Sequence, residues 1–201
     1  MQGFGNVGSN LARLLHQEGA TVVAVSDSGG GVYNAAGLDI PSAVAHKQEH
    51  GTLAGLANAE PVTNEELIEL PCDIFAPCAL EQVVTEVNAD RVKAMVICEG
   101  ANGPVTPSAD AILEDRGVLV LPDVLANAGG VVVSYFEWVQ GLQEYFWRED
   151  EVNAKLHDIV ARAFEEAWHT RDSYATSLRM ASYGLAVQRV AEATTTRGLY
   201  P

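Results

Sequence analysis

Gly3-Phe4-Gly5-Asn6-Val7-Gly8, followed downstream by Thr21-Val22-Val23-Ala24-Val25 and Ser26-Asp27, is the stretch whose reading decides the fold. Glycines in this pattern at the mouth of a helix answer three physical demands. Gly3 permits a tight strand-to-helix turn, Gly5 lets the backbone approach a pyrophosphate, and Gly8 lets the helix pack closely on its strand. Phosphate oxygens would then meet the helix N-terminus, where backbone N–H groups point outward. Asp27 follows the last glycine at about the ~20-residue distance expected of an acid that accepts from a ribose hydroxyl. A bare G-x-G-x-x-G carries little weight. In a turn, helix, strand and acid context it reads as a dinucleotide-binding fingerprint.

Such a fingerprint normally follows a strand, yet only Met1 and Gln2 precede Gly3. The expectation is a first strand almost wholly missing, with another segment needed to satisfy the neighbouring backbone groups.

The surrounding chain alternates. After the fingerprint, Val7, Leu11, Leu14 and Leu15 fall at helical spacing up to Gly19, and Thr21 to Val25 is a β-branched run suited to a strand covered on both faces. Residues 28–59 are rich in Gly, Ala and Asn, with a short helix expected near Asp39-Ile40-Pro41. Thr63-Asn64-Glu65-Glu66 is a capping box, predicting a helix to about Leu70. Strands are expected at Asp73 to Ala76, Ala94 to Cys98 and Val118 to Leu121, and a crossover helix at Thr85 to Arg91. Thr106-Pro107 caps another helix that should run to about Arg116. Alternation of this kind predicts an α/β fold with a doubly wound parallel sheet of Rossmann type. Ligands of such sheets bind beyond the carboxyl ends of the strands. Residues 127–201 read as a helical extension, so residues 1–201 are expected to form one dinucleotide-binding domain, mainly α/β over 1–126.

Composition narrows the function classes. With 48% hydrophobic residues, the 201-residue chain can bury a sizeable core. Lacking a signal-like start or a run of ~20 apolar residues, it is expected to be cytoplasmic and independent of membranes. The formal charge of −15 argues against nucleic acid as a partner, since phosphate backbones call for clustered Lys and Arg. Lys47, Lys93 and Lys155 are the only lysines against 27 acidic residues, a pattern open to a salt-adapted source or an ordinary acidic enzyme. Cys72, Cys78 and Cys98 lack C-x-x-C spacing and are expected to be small buried residues rather than disulfide or metal ligands.

Several segments, in order, resemble the cofactor domain of the hexameric glutamate dehydrogenases, within the glutamate/leucine/phenylalanine/valine dehydrogenase superfamily. They are Gly3 to Gly8, Ser26-Asp27-Ser28, Tyr33-Asn34 with Gly37-Leu38-Asp39, Pro61 to Leu67, Ala79-Leu80-Glu81, Glu99 to Pro104 and Pro122 to Trp138. The run Ser134-Tyr135-Phe136-Glu137-Trp138 is similar to the glutamate branch. The resemblance implies that Gly3, Phe4, Gly5, Asn6, Val7 and Gly8 hold a pyrophosphate, that Asp27 and Ser28 meet the adenosine ribose, and that Ala79 lies along the cofactor. It implies Asn102 and Asn127 at the nicotinamide ribose and carboxamide, where an amide offers both donor and acceptor. Val131 and Ser134 would line the substrate side-chain pocket. The residues themselves leave open that Asn102 is a left-handed loop residue before Gly103, and that Ser134 bonds its own helix backbone.

The implied activity is reversible oxidative deamination of L-glutamate to 2-oxoglutarate and ammonium with NAD or NADP, in a homo-oligomer when full length. The family's catalytic lysine and aspartate belong to a preceding substrate domain, and none of the three lysines here lies in such a context, so the chain by itself is expected to be inactive and to contain no catalytic residue. Cys78 stands where family members usually have alanine. The closing helix after about Leu178 would present an apolar face to that other domain. A non-catalytic dinucleotide-binding module, or a regulatory partner subunit, is the competing expectation.

Overall fold

The computed structural model describes residues 1–198. The chain divides into two compact units, Met1–Val120 and a second that begins at Leu121.

In the first unit, helix α1 (Asn6–Gln17) is followed by β1 (Ala24–Asp27), β2 (Gly30–Tyr33), α2 (Ile40–His50), β3 (Glu60–Val62), α3 (Asn64–Ile68), β4 (Ile74–Phe75), β5 (Val96–Cys98), α4 (Pro107–Asp115) and β6 (Leu119–Leu121). Gln2 joins the two halves of the sheet, bridging in parallel to Ser26 on one side and Pro77 on the other. The strand order is therefore β3-β2-β1, then Gln2, then β4-β5-β6. The Gln2 N–H donates to Ala76 and its carbonyl accepts from Cys78, at 2.9 and 2.7 Å, while the Met1 nitrogen donates to the Ala24 carbonyl at 2.8 Å. One paired residue and its neighbours thus occupy the central position that the sequence was expected to leave bare.

Local rules account for most boundaries. The Thr63 hydroxyl accepts from the Glu66 N–H at 3.1 Å while the Glu66 carboxylate accepts from the Thr63 N–H at 2.9 Å, the reciprocal box expected. Thr106 caps α4 with Pro107 in its first turn, and the Asp39 carboxylate caps α2 by accepting from the Ser42 N–H and hydroxyl. Gly51 ends α2 in a left-handed conformation, φ +74°.

Four expectations need correction. Residues 85–91 form only a short 3-10 turn at Ala89–Arg91. Asn88 is the reason: its side chain accepts from Thr85 N–H and donates to the Val83 carbonyl, offering the backbone an alternative to helix. The sheet is not parallel throughout, because β1 and β2 form an antiparallel hairpin in which Asp27 faces Gly30 across the turn Ser28-Gly29, and β3 adds antiparallel to β2. Parallel pairing therefore runs across β1, Gln2, β4 and β5. The buried face of α1 is Gly8 and Ala12, while Val7 and Leu14 are half exposed, since close packing selects the small residues. The strand expected at Thr21 to Val25 runs instead from Ala24 to Asp27.

Two cores flank the sheet. Phe4, Ala12, Val25, Ile40 and Leu53 pack together under α1 and α2, and Phe75, Val92, Ile97, Val105 and Leu113 form the other. Layers on both faces are what a doubly wound sheet requires.

The second unit is helical: α5 (Asp123–Ala126), α6 (Gly129–Gln143), α7 (Glu149–Tyr174) and α8 (Leu178–Arg197). The expected α7 stripe Val152, Leu156, Ile159, Val160, Ala163, Phe164 and Ala167 is half-buried to buried throughout. Phe136 meets Trp147 edge-on at 5.5 Å, and Lys155 sits over the Trp147 ring. Arg179 of α8 pairs with Asp123 of α5 at 3.8 Å. On α8, Met180, Val187 and Val190 are mostly exposed, as the sequence led one to expect for that face.

Candidate functional site

The three fingerprint glycines differ in what surrounds them. Gly3 has φ +93°, and a Cβ there would lie 2.9 Å from both the Cβ and the nitrogen of Ala79. A Cβ on Gly8 would lie 1.9 Å from the Gly3 carbonyl oxygen, so these two glycines hold the turn closed on itself. Gly5 is the opposite case: it is exposed, its φ of −83° suits any residue, and a Cβ would meet nothing within 4 Å. Only space is reserved there.

Gly5 also caps α1, and it does so without a side-chain hydrogen bond; no acidic residue occupies the first turn. The first-turn N–H groups of α1 thus form a positive helix end with neither a competing acceptor from a capping side chain nor a repelling carboxylate. This arrangement fits a pyrophosphate laid across the turn. Phe4 is buried beneath it and Asn6 and Val7 are exposed around it.

The carboxyl ends of neighbouring strands converge on the same turn. The Gly3 N–H approaches the Ser26 hydroxyl at 3.4 Å, and the Gly100 and Ala101 N–H groups both donate to the Pro77 carbonyl. Cys78 is wedged between them: a Cβ on Gly100 would lie 2.6 Å from its sulfur, and one on Gly8 would lie 3.4 Å from its Cβ. Its thiol is pushed up to about 11 by burial, so it behaves as packing rather than as a nucleophile. Burial raises Cys72 and Cys98 as well, and no metal-binding cluster occurs among the described residues. Ala79 is exposed against Gly3, and Asn102 is exposed in the loop after β5. The left-handed residue of that loop is Gly103, φ +55°, so the alternative reading of Asn102 as the left-handed position falls. Glu99, fully buried, precedes it.

Asp27 is held by three donors. Its Oδ1 accepts from Gly29 N–H at 2.8 Å, and its Oδ2 accepts from Leu53 N–H at 3.0 Å and from Lys47 Nζ at 2.5 Å. Burial by itself would raise this carboxyl, but the Lys47 ammonium and the two N–H groups outweigh it and hold the group below its ordinary range. Ser28, beside it, is exposed in the hairpin turn. Sequence reasoning found Asp27 and missed what holds it. The Asp39 cap sets the phase of α2 and so aims Lys47, but no pattern within the chain pairs positions 27 and 47.

A pH dependence follows. With its folded pKa below the unfolded value of ~3.9, Asp27 contributes stability that is fully present above that value and is lost as pH falls through the folded one. The melting-temperature gap between wild type and Asp27→Asn is expected to shrink as pH falls from about 6 to about 3. A gap constant over that range would show that the carboxylate adds nothing as an anion.

In the second unit, Asn127 ends α5 and is half-buried, while Val131 and Ser134 lie exposed on α6. The Ser134 hydroxyl donates to the Gly130 carbonyl at 2.9 Å, so donation to a carboxylate would require it to rotate away. No helix among the described residues is long and apolar enough to cross a membrane.

Known proteins resemble the chain along nearly its whole length. The family model described as Glutamate/Leucine/Phenylalanine/Valine dehydrogenase matches residues 1–198. A glutamate dehydrogenase of Thermotoga maritima is 52% identical over 202 residues, covering 100% of this chain and 49% of the relative. The catabolic NAD-specific glutamate dehydrogenase RocG of Bacillus subtilis is 45% identical, over 98% of this chain and 46% of its own length. The crystal structure of the hetero-hexameric glutamate dehydrogenase from Thermus thermophilus in its Leu-bound form superposes with a TM-score of 0.93 at 36% identity, covering 100% of this chain and 47% of that one. The chain spans about half the length of the relatives it matches.

Proposed function

Because the chain belongs to the Glutamate/Leucine/Phenylalanine/Valine dehydrogenase family, we propose that it is the cofactor-binding part of a glutamate dehydrogenase, binding NAD or NADP for the reversible oxidative deamination of L-glutamate to 2-oxoglutarate and ammonium. The observation that carries this reading is the division of labour among the glycines: Gly3 and Gly8 closed against backbone, Gly5 open at an uncapped helix N-terminus.

When bound, the nicotinamide supplies the hydride acceptor for deamination and the donor for the reverse. Gly5 and the first-turn N–H groups of Asn6 and Val7 hold the pyrophosphate, Asp27 and Ser28 the adenosine ribose, and Ala79 and Asn102 the run toward the nicotinamide. In the second unit, Asn127 is proposed at the carboxamide and Val131 and Ser134 toward the amino-acid side chain. The relative from Bacillus subtilis is NAD-specific by name, and either nucleotide is proposed here. The relative from Thermus thermophilus is a hetero-hexamer, and a full-length enzyme carrying this chain is proposed to be an oligomer as well. A non-catalytic dinucleotide-binding module or regulatory partner subunit is the second reading.

Gly5→Val tests the site without testing the fold. A side chain there meets no protein atom, so melting should match wild type, while fluorescence titration with NADH should show affinity reduced by at least about tenfold, roughly 1.4 kcal/mol. Unchanged affinity would mean that no phosphate passes over residue 5.

A further inference from the structure

We propose that Lys47 sets nucleotide specificity, cancelling the charge of Asp27 so that a cofactor phosphorylated on its adenosine ribose is accepted alongside one bearing a free hydroxyl. The inference rests on the cofactor reading above and adds to it a residue on α2.

Asp27 ends β1 at the position from which an acid meets a ribose. A carboxylate offers about four acceptor positions, and three are filled here by donors from three segments: Gly29 in the hairpin turn, Leu53 after α2, and Lys47 within α2. The Asn64 side chain also donates to the Asp27 carbonyl at 3.2 Å, fixing the backbone. The carboxylate therefore cannot swing aside when a second anion approaches. A fixed, uncompensated carboxylate would repel a ribose phosphate and leave the site to the hydroxyl form. Lys47 changes this balance, because with its ammonium 2.5 Å from Oδ2 the pair carries no net charge.

The Lys47 side chain keeps 26% of its exposure against 7% for Asp27, so the ammonium, with two donors beyond the one spent on the carboxylate, is the more reachable of the two. In a chain of net charge −15 with three lysines, one of them is committed to the acid at the ribose position. Neither the hairpin nor the α2 caps require that pairing, since Asp39 caps the start of the helix and Gly51 closes its end on the Lys47 backbone carbonyl, without the Lys47 side chain.

NADH and NADPH differ only in the phosphate at issue, and titrating the full 201-residue chain with each by fluorescence separates the possibilities. Lys47→Met is expected to weaken NADPH by at least about tenfold while changing NADH by no more than about threefold, and Lys47→Arg should retain both. Removing both charges together, in Asp27→Asn with Lys47→Met, restores a neutral site and should regain NADPH binding. A fold defect would instead weaken NADH and NADPH together in Lys47→Met, because an unpaired buried carboxylate destabilises the chain whichever nucleotide is offered. Equal losses of the two nucleotides in Lys47→Met, or a double variant that fails to recover NADPH, would overturn the proposal while leaving cofactor binding intact. If folded wild type binds neither nucleotide, the cofactor reading itself falls and takes this inference with it.

Discussion

The 201-residue chain by itself is expected to show no glutamate-dependent reduction of NAD or NADP, although it is expected to bind both. Hydride transfer from an amino acid requires the substrate held against the nicotinamide with groups that polarise it and move its protons. Positioning of this kind accounts for about 7–11 kcal/mol of barrier. The chain's lysines are committed elsewhere or lie in the wrong context. Lys47 is held by Asp27, Lys155 lies over Trp147, and Lys93 is an exposed residue after the turn at Ala89–Arg91. Ser134, the residue proposed to face the substrate, has its hydroxyl turned to Gly130. Since the relatives are about twice as long, co-expression with the remaining half of the Thermotoga relative should yield glutamate-dependent NADH formation. Spectrophotometry at 340 nm reads both cases. Turnover by the pure chain would place the proton chemistry on residues described above as structural.

Gly8→Ala is expected to be the most damaging single methyl group that can be added to the first unit. Its Cβ would sit 1.9 Å from the Gly3 oxygen and 2.9 Å from the Gly3 carbonyl carbon, and both are backbone atoms of a turn that cannot yield locally. Gly3 is held on its other side by Ala79 and Cys78. Overpacking commonly costs about 1–3 kcal/mol and occasionally more, and a backbone-on-backbone clash belongs at or beyond the upper end. Against a total stability of about 5–15 kcal/mol, a loss of about 3 kcal/mol should lower the melting temperature by roughly 6–12 °C in a chain of this size. NADH affinity should fall with it, because displacing α1 moves the N–H groups that hold the pyrophosphate. Gly5→Val is the matched control, predicted to lose the ligand and keep the fold. A Gly8→Ala chain melting with wild type would show that α1 can slide from its strand without loss, and that close packing at residue 8 is not what the glycine serves.

What could be read from the sequence is what is decided within about four residues. The Thr63/Glu66 box, the Thr106-Pro107 start, the Asp39 cap and the glycine stops are local hydrogen-bond and dihedral choices, and the structure shows each of them. The fingerprint was legible for nearly the same reason: the contact between Gly3 and Gly8 closes over only five residues. Tertiary structure decided the rest. Residues 85–91 have helix-compatible composition, and it is the Asn88 side chain, spanning Val83 and Thr85, that diverts them. The glycine-rich stretch at 30–33 looks like loop until β1 and β3 pair with it, and Gly31 is then the residue small enough to lie between Ser26 and Val62. Asp27 could be named from its spacing, but its state could not, because Lys47 and Leu53 reach it from 20 and 26 residues away. Propensity acts along the chain, whereas the charge on a carboxylate depends on which donors the fold brings to it, and those donors carry no mark in the sequence of having been chosen.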